Sequence, residues 1–366
     1  MTDVFVVGGG PAGLAAAIAA RLKGFDVTLA DVARPPIDKA CGEGLLPDAS
    51  AALDHLGIRP AARQCFPLHG VRCLGDGVSV EAAFPDRYGT GVRRLELHHL
   101  LLNRATELGT HLLWGVRVMG ASGNTVSLDS GSVRCRWIIG ADGQNSRVRQ
   151  WTQLQAARHD TFRFGFRRHY QLSPWTDLIE IYWGDGCEIY VTPVSPREVC
   201  IALLASDPHA RLDTALPQFP ELARRLAGAP FTSTERGAVT ASRRLRRVYR
   251  GQTALIGDAS GSVDAITGEG LALSLHQSIA LADALAHNDL ASYQAEHRRL
   301  ERRPVMMANL MLMLDRHAWL RRRVLRAMAA EPSSFANLVA MHVGSLSSAD
   351  FVFHGMLPLG RQILVS

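Results

Sequence analysis

The chain has 366 residues, of which 47% are hydrophobic and 20% are charged, a composition typical of one large or two closely packed globular domains. No apolar run reaches the roughly 18 residues that a membrane-spanning helix needs. The six cysteines are scattered without a CxxC pair, which argues against a zinc site and a disulfide framework. These features predict a reduced, cytoplasmic protein.

The formal net charge of +6 comes from arginine, much of it clustered over 243–250 and 298–326. A basic face can bind nucleic acid, cofactor phosphates or an acidic membrane surface, or it can simply be solvated. Few aromatic residues are interleaved with these arginines. The pattern therefore predicts no nucleic-acid partner and leaves peripheral contact with a membrane open.

The first predicted element is an apolar strand that begins at Val4 and runs into the glycine-rich segment VVGGGPAG. The pattern G-x-G-x-x-G falls on Gly8, Gly10 and Gly13, and an alanine-rich helix follows. Gly8 allows a sharp turn, Gly10 lets backbone N–H groups approach a pyrophosphate, and Gly13 lets the helix pack closely. We expect the folded domain to begin with this first strand, with no signal peptide before it.

A second predicted strand ends in Asp31, where a carboxylate can accept hydrogen bonds from the ribose hydroxyls of an adenine nucleotide. The alternative is a glycine-rich turn in an ordinary α/β unit. The loop DKACGEGLLP over 38–47 follows, and its composition suits a backbone that lies along a cofactor. Its Cys41 is either a small buried filler or a catalytic residue close to a flavin.

Strand-like alternation over 71–84 precedes a predicted helix that begins near Arg94 and is capped by Gly109. Arg94 can reach a cofactor from the start of this helix, or it can be surface charge. A further buried strand ends in Asp142 and Gly143, and a helix begins after them. An acid at the carboxyl end of such a strand faces the crevice where open α/β sheets bind ligands.

The segment 162–204 changes to short alternating runs typical of an antiparallel sheet. Its aromatic residues either form the core of that sheet or wall a substrate pocket. A last buried strand ends in Gly257-Asp258, and the turn Gly268-Glu269-Gly270 opens a long helix that can stabilise the negative charge of a reduced isoalloxazine ring. The methionine-rich stretch 306–314 is either core, a lining for an apolar substrate or a membrane-facing surface.

Three segments occur in the order VVGGGPAG, IIGADGQNSRVR and LIGDASGSVDAITGEG. Together they resemble the superfamily of FAD-dependent aromatic hydroxylases (p-hydroxybenzoate hydroxylase-like) and geranylgeranyl reductases. The resemblance implies an α/β protein: a Rossmann-like, GR2-type FAD-binding fold with an inserted antiparallel β substrate domain and a helical C-terminal tail. The implied segments are 1–160 and 236–290 for FAD, 161–235 for substrate, and 291–366 for the tail.

The resemblance further implies FAD as the cofactor and NAD(P)H as a transient reductant, with no metal. Arg94 matches the family arginine of the pattern R-x-x-L-x-x-x-L, and Asp142-Gly143 and Gly257-Asp258 match the DG and GD motifs. The residues predicted to hold FAD are Gly8, Gly10, Pro11, Ala12, Gly13, Asp31, Lys39, Cys41, Gly42, Arg94, Asp142, Gly143, Gly257, Asp258, Gly268, Glu269 and Gly270.

The reaction type is left open between two chemistries. The loop DKACGEGLLP resembles the geranylgeranyl reductase branch, in which Cys41 becomes a candidate proton donor for C=C reduction. The Y-x-W-x-F-P signature of that branch is replaced by YVTPV over 190–194, and Ala265 stands where a proline is usual. These departures favour monooxygenation of a hydrophobic polyketide, aromatic or isoprenoid molecule, while a flavin-fold binder without turnover is a third hypothesis.

Overall fold

The computed structural model describes residues 2–154 and 156–347, with the side chains of 156–161 outside that description. The end of the predicted helical tail, residues 348–366, also lies outside the described residues. The strands, in chain order, are β1 Thr2–Val7, β2 Val27–Asp31, β3 Gly44–Leu45, β4 Cys65–Leu68, β5 Gly70–Gly75, β6 Val78–Ala83, β7 Gly89–Val92, β8 His111–Trp114, β9 Val118–Ser122, β10 Thr125–Leu128, β11 Gly131–Gly140, β12 Ala156–Tyr170, β13 Leu178–Trp183, β14 Cys187–Ser195, β15 Glu198–Ala205, β16 Arg236–Leu245, β17 Tyr249–Arg250 and β18 Thr253–Leu255.

The helices follow the sequence signals for helix starts. Helix α1 begins with Pro11, whose missing N–H costs nothing in the first turn, and α8 begins after Asp289, whose side chain accepts hydrogen bonds from Ala291 N and Ser292 N. The helices are α1 Pro11–Leu22, α2 Pro47–His55, α3 Arg94–Glu107, α4 Arg147–Trp151, α5 Leu212–Ala215, α6 Pro220–Leu226, α7 Gly270–Ala286, α8 Leu290–Arg316, α9 Ala318–Ala330 and α10 Pro332–His342.

The first sheet has the strand order β17-β18-β11-β1-β2-β8, with β9 and β10 as an antiparallel extension of β11. Strands β18, β11, β1, β2 and β8 run parallel to one another, whereas the edge strand β17 is antiparallel to β18. Because parallel strands end at the same edge of a sheet, the glycine-rich turn after β1, Asp31 and the Asp142 turn come together there. The predicted α/β nucleotide-binding architecture is confirmed.

The second sheet has the strand order β16-β12-β15-β14-β13-β5-β6. The strands of the predicted antiparallel segment pair antiparallel with one another, and β13 also pairs in parallel with β5, which comes from outside that segment. The predicted insertion over 161–235 supplies β13 to β15 and most of β12. Segments on both sides of it supply β5, β6 and β16, so the sheet is completed by chain from the two predicted FAD segments.

The apolar core has three parts. One lies between the first sheet and helices α1, α3 and α7, and is built largely from alanine, leucine, valine and isoleucine. A second lies between one face of the second sheet and helices α8 to α10, and a third lies between the other face and α5 and α6. The helical tail therefore covers the second sheet. None of the helices within 2–347 is long and apolar enough to span a membrane.

Strand β7 packs against the backbone of β14 at Gly91. A methyl group added to Gly91 would lie 1.7 Å from the Pro193 carbonyl oxygen, far inside van der Waals contact. We expect Gly91→Ala to lower the free energy of unfolding by about 1–3 kcal/mol, because two backbones must separate. Chemical denaturation measures this effect.

The matched control is Gly120→Ala in β9, where an added methyl group meets nothing within 4 Å. Equal unfolding midpoints for the two variants would contradict the packing argument.

Candidate active site

A cavity of about 690 Å³ runs between the two sheets. One part is lined by the glycine-rich turn after β1, the loop over 37–44, and the turns that contain Asp142 and Gly268. The other part is lined by apolar side chains of β5, β13 and helices α8 to α10. The cavity thus joins a region rich in backbone amides and charged groups to an apolar chamber.

The glycines of the first motif divide into two groups by geometry. Gly8 has φ +111°, and a methyl group there would lie 2.4 Å from the Ala141 carbonyl oxygen. A methyl group on Gly13 would lie 1.8 Å from the Gly8 carbonyl oxygen. A methyl group on Gly10 would meet no described residue within 4 Å, and Gly10 lines the cavity, so its missing side chain leaves space for a ligand.

Helix α1 points its N-terminus at this open space. No side chain caps it, and no acidic residue lies in its first turn, so its first amides remain available to an anion. The Asp31 carboxylate accepts hydrogen bonds from Gly9 N at 2.6 Å and Ala33 N at 2.7 Å. Each oxygen keeps a further lone pair for a ribose hydroxyl. This donor and acceptor set fits the adenosine diphosphate half of FAD.

Arg94 begins α3, is 8% exposed and lines the cavity. Its Nε is buried and has no hydrogen-bond partner within the described residues. A buried guanidinium nitrogen without a partner is costly unless a ligand completes it. The position of Arg94 therefore fits contact with a polar group of the cofactor.

The two predicted acidic motifs have different surroundings. Asp142 accepts hydrogen bonds from Ser146 Oγ, Arg147 N and Val148 N, so it fixes the start of α4 while lining the cavity. Asp258 forms an ion pair with Lys39 at 3.0 Å. That ion pair links the loop after β2 to the turn after β18 across the cofactor region.

The turn before α7 presents Gly268, with φ +69°, and Gly270 to the cavity. Glu269 between them is 2% exposed, with Oε1 3.7 Å from Arg303 Nε and Oε2 3.6 Å from His342 Nδ1. Burial raises the pKa of Glu269 to about 8, partly opposed by Arg303, and burial lowers the pKa of His342 to about 4. Near neutral pH both side chains are therefore largely uncharged.

Cys41 is half-buried and lines the cavity, and burial raises the pKa of its thiol. Its Sγ accepts a hydrogen bond from Glu43 N at 3.4 Å, and its carbonyl oxygen accepts one from Cys200 Sγ at 3.7 Å. The thiol is protonated at neutral pH and is held at a defined position in the loop.

Sequence analysis missed the buried charged network beneath this loop. Glu43 has φ +61°, is 2% exposed, and bonds Arg94 N at 3.0 Å and His169 Nε2 at 2.6 Å. Arg167 bonds His169 Nδ1 at 3.1 Å and Asp38 at 2.6 Å. The network joins the loop with Asp38 and Glu43 to Arg167 and His169 of β12, more than 120 residues later, so no local pattern could indicate it.

Glu43, His169 and Cys200 place three potential metal-ligand atoms within 4.8 Å of one another. The Arg167 guanidinium lies beside two of them, 3.7 Å from Glu43 Oε1 and 3.1 Å from His169 Nδ1. A cation already balances the carboxylate, so the arrangement suits an ion-pair network better than a metal centre.

The structure brings the predicted cofactor residues to one cavity. All of them line it except Gly13, Gly257 and Glu269. Gly13 and Gly257 instead allow close packing, since a methyl group on Gly257 would lie 2.8 Å from Ala12 Cβ. Other residues that the sequence did not single out also line the cavity, among them Tyr190, Thr192, Arg321 and His342.

The methionine-rich stretch of α8 has two sides. Met307, Met311 and Leu314 line the cavity, whereas Met306 and Met313 are exposed. The predicted lining for an apolar substrate therefore matches one side of the helix. The predicted membrane contact, for which the exposed side is a candidate, stays a prediction.

The chain is similar to a known protein family and to known oxidoreductases. The profile of the FAD binding domain family matches residues 1–303. Menaquinone reductase of Mycobacterium tuberculosis is 32% identical over 318 residues, which cover 79% of this chain and 78% of that protein. The 6-methylpretetramide 4-monooxygenase of Streptomyces rimosus is 27% identical over 363 residues, which cover 86% of this chain and 85% of that protein.

A solved flavoprotein/dehydrogenase from Cytophaga hutchinsonii has the same fold, with a TM-score of 0.84 at 18% identity, over 100% of this chain and 99% of that one. The fold, the open cradle at Gly10 and these relatives define an FAD-dependent oxidoreductase. The chain belongs to the FAD binding domain family.

Gly10 offers a test of the cofactor cradle that separates binding from folding. We expect Gly10→Ala to raise the dissociation constant for FAD about tenfold or more, because the methyl group takes ligand space. The stability of the apoprotein should change by less than about 1 kcal/mol, since the methyl group meets no protein atom within 4 Å. Flavin fluorescence titration and apoprotein denaturation measure the two quantities, with Gly120→Ala as the control. An unaltered affinity for FAD would contradict the assignment.

The raised pKa of Glu269 predicts that the free energy of unfolding depends on pH. The folded protein keeps the Glu269 proton up to a pKa of about 8, whereas the unfolded chain loses it near the ordinary value of 4.5. The folded state therefore binds more protons in this window, and this contribution to stability is lost as the pH rises. Relative to Glu269→Gln, the wild-type free energy of unfolding should fall with rising pH by up to about 1.4 kcal/mol per pH unit between 4.5 and 8.

Denaturation at a series of pH values tests this, with the exposed Glu107→Gln as the control. Parallel stability curves for wild type and Glu269→Gln would show that Glu269 titrates normally.

Proposed function

We propose that the protein is an NAD(P)H-using, FAD-dependent monooxygenase that hydroxylates or epoxidises a hydrophobic small molecule such as a polyketide, aromatic or isoprenoid metabolite. When bound, FAD accepts a hydride from NAD(P)H and supplies the electrons for oxygen activation. The protein residues bind the cofactor, exclude water from the reacting region and position the substrate.

The proposed roles of the cofactor residues follow from their contacts. The amides at the start of α1, the open space at Gly10 and the Asp31 carboxylate suit the pyrophosphate and ribose. Arg94, with its unpartnered Nε, and Asp258, with its Lys39 ion pair, suit polar groups farther along the cofactor. The amides at Gly268 and Gly270 suit the flavin ring, where the dipole of α7 favours negative charge.

The observation that carries the proposal is the wall of the apolar chamber. The segment YVTPV, which departs from the prenyl reductase signature, lies on β14, and its Tyr190 and Thr192 line the cavity. The segment that differs from the prenyl reductase signature therefore lines the space where a substrate would lie. The similarity to 6-methylpretetramide 4-monooxygenase supports the proposal, because it extends over 86% of this chain.

C=C reduction is the second candidate, and Cys41 favours it. The thiol lines the cavity, and burial raises its pKa, so it is protonated at neutral pH and able to donate a proton. The 32% identity to menaquinone reductase supports this candidate as well. Cys41 would then be the proton donor, and the apolar walls would keep water from the reacting carbon.

Product mass separates the two candidates. With NAD(P)H, air and candidate polyketide, aromatic or prenyl substrates, we expect oxygen consumption and a product about 16 mass units heavier, the mass of one added oxygen atom. An anaerobic product about two units heavier, lost in Cys41→Ala, would replace monooxygenation with reduction. Cys187→Ala, at a buried cysteine of β14 outside the cavity lining, is the control. Protein that takes up no FAD would overturn both candidates.

A further inference from the structure

One charged side chain lies in the apolar chamber, far from the predicted cofactor motifs in the sequence. Arg321 on α9 is 3% exposed and lines the cavity together with Trp183, Val324 and Leu325. Among the described cavity-lining residues from the second sheet and helices α8 to α10, it is the one side chain charged at neutral pH, since the pKa of His342 is lowered to about 4 by burial.

The contacts of Arg321 leave most of its guanidinium unused. Its Nε donates to Asp76 Oδ2 at 3.2 Å, and its Cζ lies 5.6 Å from the centre of the Trp183 ring. Neither Nη atom has a hydrogen-bond partner within residues 2–154 and 156–347. Burying such a group among apolar side chains is costly unless a partner completes it, and the two Nη atoms form a fork that matches a carboxylate.

The second sheet indicates how far Arg321 lies from the cofactor region. Alternate residues of β13, Ile179, Ile181 and Trp183, share one face of the strand and line the cavity. Ile179 lies against the loop that carries Cys41, because a methyl group on Gly44 would be 3.1 Å from Ile179 Cδ1. Four residues of strand span about 13 Å, so the chamber extends about that far from the loop to Trp183 and Arg321.

We propose that Arg321 binds a carboxylate group of an elongated apolar substrate, whose other end reaches the cofactor region. One guanidinium whose fork is unshared within the described residues matches one carboxylate, and methionine and leucine side chains line the space for the apolar chain that would follow it. This proposal rests on the proposed function in one respect, that the substrate occupies this cavity. It narrows the substrate class to apolar monocarboxylic acids.

The test uses FAD-loaded protein and two probes of equal length, decanoate and decan-1-ol. We expect decanoate to bind at least about tenfold more tightly than decan-1-ol, because the carboxylate forms charge-assisted hydrogen bonds with the guanidinium. Arg321→Met should remove this preference, and Arg321→Lys should keep part of it. Arg322→Gln, at an exposed arginine of the same helix, should leave it unchanged. Perturbation of the flavin absorbance and calorimetry measure the affinities.

Equal affinity of the wild type for the two probes would overturn the inference, as would an undiminished preference in Arg321→Met. If Arg321→Met loses FAD, the double variant Asp76→Asn/Arg321→Met removes both charges of the pair and takes its place. Equal wild-type affinities would overturn the inference without any variant. A different result would contradict the proposed function: wild-type protein that binds no FAD, or that shows no NAD(P)H-dependent turnover. That result does not depend on which probe the protein prefers.

Discussion

The contact between Gly13 and the Gly8 carbonyl oxygen is the constraint on which the site depends. It brings the first turn of α1 so close to the end of β1 that any side chain at Gly13 would collide with this oxygen, while a side chain at Gly8 would collide with the backbone of Ala141 after β11. The helix N-terminus is thereby aimed at the edge where β1, β2 and β11 end. Gly10 differs from these two glycines, because the space that a side chain would fill there belongs to the cavity.

A second constraint joins the cofactor loop to the substrate sheet. Glu43 lies in the left-handed region of backbone conformation, which is unfavourable for a non-glycine residue, and its carboxylate bonds to the start of α3 and to His169 of β12. Buried ion pairs add little net stability, but losing one partner leaves an uncompensated charge that costs about 3–5 kcal/mol. The network therefore holds the loop that carries Cys41 at a fixed position against the second sheet.

The cavity consequently has two chemically distinct parts within one volume. Backbone amides, Asp31, Arg94 and the Lys39–Asp258 pair surround the cofactor region, whereas Ile, Trp, Met and Leu side chains surround the rest. An apolar wall orients a ligand weakly, and polar anchors provide the orientation. Tyr190, Thr192 and Arg321 are the anchors that this wall offers, which is why the proposed substrate class depends on them.

The sequence by itself determined the FAD-binding half, because each of its motifs is local: a strand, a glycine turn and a helix within about 20 residues. It also predicted the close packing at Gly13, whereas the structure decided that Gly13, Gly257 and Glu269 lie outside the cavity lining. Tertiary structure alone decided the Glu43–His169 network, the parallel pairing of β13 with β5, and the entry of Arg321 into an apolar chamber. These contacts join residues more than a hundred positions apart, and their energies come from burial and pairing that exist only after the two sheets and the helical tail have packed together.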